Sequence, residues 1–81
     1  MNSVRFLGPY DDRVAAELPE GFVVGLCKGD CVIADGSVIA GVFRRTGEQR
    51  WSDDAGHAIT VMVEEIDLDR AALRNWSTGV E

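Results

Sequence analysis

Eighty-one residues suffice for one domain, and residues 1–81 read as a single one. A hydrophobic fraction of 46% excludes a disordered chain, while eight basic and fourteen acidic side chains leave a net charge of -6 and a pI near 4.6. That balance repels phosphate backbones and anionic lipid, so neither nucleic acid nor membrane is expected as a partner.

The chain opens without a charged region followed by an apolar stretch between Met1 and Tyr10, so no export signal is visible and a cytoplasmic location is expected. Apolar runs are only a few residues long, far short of a membrane span. Residues 3–7 alternate Val4 and Phe6 with Ser3 and Arg5, which suits a short strand that could lie at a sheet edge. After Gly8-Pro9, the chain reads either as a surface loop or, from the recurrence of Tyr10, Val14 and Leu18, as a short helix over residues 10–18 with Asp11 and Asp12 at its positive end. Pro19 and Gly21 stop it.

A β meander follows. Phe22–Cys27 is one strand, and Lys28-Gly29-Asp30 turns it into a second over Cys31–Ala34. Asp35-Gly36 is the dipeptide favoured in a two-residue type I′ hairpin, which predicts a return strand running to Arg45. Thr46-Gly47 predicts another tight turn, setting Arg45 opposite Glu48, Phe43 opposite Arg50 and Val42 opposite Trp51. Ser52–Gly56 is a polar loop. Ala58–Ile66 is the clearest strand, with Ile59, Val61 and Val63 on one face. Asp67 is expected to cap a helix that gathers Leu68, Ala72, Leu73 and Trp76 on one side, with Asp69 near its start and Arg74 near its end. Gly79 is expected to end the ordered chain.

The segment Val38–Phe43 is apolar on both strand faces, so something must cover both. A curled sheet or a second copy of the chain would do so, and a domain this small gains from extra burial. A homo-oligomer, a dimer first, is therefore expected.

Residues able to carry chemistry are few. Cys27 and Cys31, with Lys28, Gly29 and Asp30 between them, have metal-ligand spacing, but a tetrahedral site would need His57 and Asp53 or Asp54 to complete it. A disulfide is the second alternative; the simplest reading is two small hydrophobes facing each other across a hairpin. His57 follows Asp53 and Asp54 closely enough for a carboxylate to orient its ring, with Ser52, Cys27 or Cys31 as nucleophile. Arg44, Arg45 and Arg50 form a basic hairpin tip that could hold an anion or an acidic partner. The ligand or partner candidates are Arg44, Arg50, Trp51, Phe43 and Ile39. Glu64, Glu65, Asp67 and Asp69 lack calcium-loop spacing, and the Asn75-Trp76-Ser77 acceptor triplet carries no meaning in a cytosolic chain.

The run from Lys28 to Gly36, followed by Gly41-Val42, resembles the turn pattern of Tudor- and KOW-type small barrels. The resemblance implies a small barrel and nothing more, because those families' aromatic cage and basic face are not identifiable here.

The fold expected is α+β: an antiparallel meander of about five strands, forming a curled sheet or half-barrel, with a short C-terminal helix and a short N-terminal one. The function expected is a small non-enzymatic accessory or regulatory module that self-associates and binds a protein or small molecule, with no cofactor. The alternative is a small hydrolase or isomerase with an interface site around His57 and Asp53 or Asp54.

Overall fold

The computed structural model describes residues 4–78. Six strands, β1 (Val4–Tyr10), β2 (Arg13–Leu18), β3 (Gly21–Lys28), β4 (Val38–Ala40), β5 (Gly47–Asp53) and β6 (Ala58–Leu68), precede one helix, α1 (Arg70–Thr78). All neighbouring strands are antiparallel, and they close into a barrel in the order β1-β2-β3-β6-β5-β4, with β4 returning to β1. The expected half-barrel of about five strands is thus a closed ring of six. No helix among the described residues is long and apolar enough to cross a membrane.

Strand alternation fills the ring. Phe6, Val14, Ala16, Val23, Ile39, Trp51, Ile59, Val61 and Val63 point into one buried cluster, where Phe6 and Trp51 meet edge to face at 6.3 Å. The expected row of Ile59, Val61 and Val63 lies on this inner face. The intervening residues of β2 and β3, Ala15, Phe22 and Val24, face outward and are buried with Leu73 of α1. A helix laid across the outside explains why these two strands are apolar on both sides.

The helix predicted over residues 10–18 is instead the hairpin of β1 and β2. Tyr10 pairs with Arg13 around Asp11-Asp12, Asp11 takes a left-handed φ of 60°, and the register shifts across Gly8-Pro9. Residues four apart share a strand face as well as a helix face, so the spacing of Tyr10, Val14 and Leu18 fits both. β1 also has a partner on each side, β2 and β4, so it is not an edge.

The expected hairpin at Asp35-Gly36 does not form either. Residues 29–37 are an irregular crossover from β3 to β4 that buries Ile33 inside the barrel. Ala34–Ser37 is a turn, closed by the Ser37 amide on the Ala34 carbonyl at 3.1 Å, but only Gly36 has positive φ, whereas type I′ needs two such residues. The Asp35 carboxylate accepts from the Gly8 amide at 2.9 Å and so fastens the crossover to β1.

β4 is likewise shorter than expected. It ends at Ala40, and Ile39 pairs with Asp53 and Ala40 with Ser52, one residue out of the expected register. The expected pairs Arg45–Glu48, Phe43–Arg50 and Val42–Trp51 are absent, because residues 41–46 leave the sheet as a loop. Ile39 is inside the barrel while Val38 is 46% exposed, so the closed ring covers only one face of this segment.

β6 is the longest strand, and its register against β3 shifts twice, between Phe22 and Val24 and again between Val24 and Gly25. Gly25 permits the second shift: a Cβ there would lie 2.3 Å from the Met62 carbonyl oxygen. At the end of β6, Asp67 adopts a φ of 57° beside Gly21. The residue capping α1 is Asp69, not Asp67: its carboxylate accepts from the Ala72 amide at 2.8 Å. Arg13 binds the Trp76 carbonyl and lies over its indole at 5.5 Å, tying the helix to β2. The expectation for Gly79, and Ser3 of the first strand, fall outside the described residues.

Candidate functional site

An open cleft, exposed apolar side chains and a fixed loop coincide at the rim beside β4. A groove of about 470 Å³ runs between Val4, the Leu18-Pro19-Glu20 turn and residues 39–44. A second of about 560 Å³ shares Val4, Leu18 and Pro19 and continues to Arg5 and Val38. Phe43 is 57% exposed, the most exposed large hydrophobic side chain among the described residues.

The wall carrying Phe43 is held by a residue whose role the sequence reading missed. Gln49 is buried on the inward face of β5, and its side-chain amide is fully used. Its Oε1 accepts from the Phe43 amide at 2.9 Å and from the Trp51 indole at 3.0 Å; its Nε2 donates to the carbonyls of Phe43 at 2.9 Å and Arg45 at 2.7 Å. One side chain thereby replaces the strand pairing that residues 41–46 lack. The signal was present in the sequence: Glu48 and Arg50 flank Gln49 at outward positions, and Trp51 shares its face.

Two further contacts fix the loop. Gly41, at a φ of 89°, comes so close to β5 that a Cβ would sit 2.4 Å from the Arg50 carbonyl oxygen. Arg44 makes a two-pronged ion pair with Asp67, Nε to Oδ1 at 2.9 Å and a terminal nitrogen to Oδ2 at 2.8 Å. Hydrogen bonding to Asp67 holds the Arg44 guanidinium above its ordinary pKa, and the same bond lowers that of the Asp67 carboxyl. Arg45 lies over the Phe43 ring at 5.5 Å.

Of the ligand or partner candidates, Phe43 and Arg44 therefore line this groove. Trp51 is fully buried and Ile39 is 4% exposed, so both belong to the core, although Ile39 also borders the groove floor. Arg50 is exposed on β5.

The catalytic candidates lie in the turn between β5 and β6. His57 Nδ1 stands 3.0 Å from Asp53 Oδ2, while Asp53 Oδ1 accepts from the backbone amides of His57 at 2.8 Å and Ala55 at 3.1 Å. Burial raises the Asp53 carboxyl, but the hydrogen bonds from the side chain and backbone of His57 and from Ala55 outweigh it, so the net shift is downward. The imidazole is 53% exposed, and Asp54 is exposed at the turn. A small cleft of about 270 Å³ borders Asp53, Asp54, Ser37 and Val38. The expected His–carboxylate neighbourhood thus forms, with Asp53 as the partner, and the same bonds close the turn.

Cys27 and Cys31 are both free, Cys27 buried and Cys31 half-buried. They stand near one another across a bend rather than across paired strands. Burial first, then the hydrogen bond to Cys31 and the charges of Cys31, Asp12 and Asp30, push the Cys27 thiol from 9.0 up to about 12. Among the described residues, no three His, Cys, Asp or Glu side chains converge as metal ligands would.

Compared with known proteins, the chain matches no family model, no curated protein and no solved structure.

Proposed function

We propose that the chain is a small non-enzymatic accessory or regulatory module that self-associates and binds a protein or small-molecule partner through the groove beside β4. The observation that carries this reading is Phe43: an aromatic ring 57% exposed on a loop that Gln49 and the Arg44–Asp67 pair hold in place. A fixed exposed aromatic beside an apolar cleft loses little conformational freedom on binding, which is the condition under which such a residue anchors an interface. Val38, 46% exposed, extends the same apolar rim.

The experiment is sedimentation equilibrium from roughly micromolar to roughly millimolar chain, the range in which weak interfaces populate. The expected result is a mass that rises with concentration, and Phe43→Ser should lower the association at least tenfold without lowering the melting temperature. A constant monomer mass over that range removes self-association from the proposal.

The alternative, a small hydrolase or isomerase, rests on the 3.0 Å contact between His57 and Asp53. Its half-exposed ring on a turn lacks the water-excluded setting that makes a dyad effective. Ester hydrolysis abolished equally by His57→Ala and Asp53→Asn would establish this reading over the first.

A further inference from the structure

The two thiols occupy a strategic place in the chain. Cys27 lies near the end of β3, 7% exposed, and Cys31 packs against the same interior cluster from the first residues of the crossover. Lys28, Gly29 and Asp30 reverse the chain between them, with Gly29 at a φ of 80° and open space on its side. Four residues apart across this turn, Cys27 belongs to the interior cluster and the Cys31 side chain packs against it.

The crossover over residues 29–37 leads into β4, the strand whose pairing with β1 and β5 closes the barrel. It buries Ile33 to 1% exposure and gives the Asp35 carboxylate to the Gly8 amide at 2.9 Å. It also exchanges backbone bonds with β1, Gly36 N to Phe6 O at 2.7 Å and Phe6 N to Ser37 O at 2.8 Å. The next residue, Val38, begins β4.

We propose that Cys27 and Cys31 are a dithiol–disulfide site, oxidised by exchange with a low-molecular-weight disulfide, and that the bond staples the crossover leading into the closing strand. The half-exposed Cys31 is the entry point. Its thiolate attacks one sulfur of oxidised glutathione, the S–S bond breaks, and one glutathione departs as a thiolate that takes up a proton. Cys27, losing its proton to solvent, then attacks the Cys31 sulfur of the mixed disulfide and expels the second glutathione. The protein gives up two hydrogens with two electrons, and the reagent is reduced to two thiols. Burial inside the barrel keeps Cys27 protonated in the dithiol state.

The test uses the full chain, equilibrated in a series of reduced and oxidised glutathione mixtures, alkylated and digested with trypsin. Cleavage after Arg13, Lys28 and Arg44 separates the cysteines, so a disulfide holds the Val14–Lys28 and Gly29–Arg44 peptides together until it is reduced. The expected result is that joined pair from a chain lighter by about 2 Da. Amide exchange at Phe6 and Gly36 should also slow roughly tenfold relative to the reduced protein. Cys27→Ser should stop at a glutathione adduct on Cys31; should that variant misfold, the wild-type digest decides alone. Both thiols alkylated at every ratio, an adduct on Cys31 with no joined pair, or links only between chains overturns the site. A joined pair with unchanged exchange at Phe6 and Gly36 overturns the staple.

Discussion

At the scale of single residues, Gln49 contributes most to the candidate site. All four hydrogen-bonding positions of its amide are engaged, three of them with the loop backbone that carries Phe43. Leucine fills nearly the same volume but offers none of these bonds, leaving the Phe43 amide and two carbonyls to find water and the Trp51 indole without its partner. Gln49→Leu should therefore lower unfolding stability by about 1–3 kcal/mol in urea titrations, the range for an orphaned buried polar group. It should also weaken self-association, because the loop holding Phe43 loses its anchor. Residue roles were only partly legible in sequence. Ile39 and Trp51 read as binding residues because a large apolar side chain on a strand looks alike whether it faces a partner or a core. The neighbourhood of Asp53 and His57 was legible, since a four-residue span across a tight turn leaves little freedom.

Elements were legible where one periodicity had no rival. β6 stands out because Ile59, Val61 and Val63 alternate with Thr60, Met62 and Glu64, and α1 because Leu73 and Trp76 recur on one side; Leu68, expected in that helix, is instead the last residue of β6. β2 was misread as helix because a spacing of four satisfies both periods, and because α1 covers its outer face at Ala15, hiding the alternation. The rule that a strand apolar on both faces must be covered twice was sound, but it applies to β2 and β3 rather than to Val38–Phe43. The crossover over residues 29–37 was missed because turn-forming dipeptides report local bends, not whether strands flank them. The shifts in β6 were equally hidden, and they depend on Gly25. Gly25→Ala would drive a methyl against the backbone of Met62 and Val63, both at or under 2.8 Å from the new carbon. Backbone cannot rotate away as a side chain can, so the variant should lose about 2–4 kcal/mol by urea denaturation.

For the whole molecule, charge sets the stability limits in pH. Asp67 and Asp53 are both held below the ordinary aspartate pKa, so they favour the folded state fully above that value, near ~4. Their contribution is lost as pH falls through the lowered folded-state values. The Cys27 thiol is shifted the other way, so its contribution is intact below 9.0 and is lost as pH rises toward about 12. Melting temperature should accordingly be level from about pH 5 to about pH 8 and fall on both sides, the acid limb flattening in Asp67→Asn. An unchanged acid limb in that variant would assign the limb to other carboxylates.

The ladder on either flank of β4 is only two residue pairs long. Detaching β4, with the bonds of Gly36 and Ser37 to Phe6, is enough to turn the ring into a ribbon, and a ribbon has bare edges at β1 and β5. Such edges accept a strand from any chain within reach, including the detached segment of a neighbour. Copies that traded this segment would form dimers slowly, in mild denaturant, and whether or not Phe43 is present. Dependence on that ring thus separates association at the surface from exchange of a closing strand.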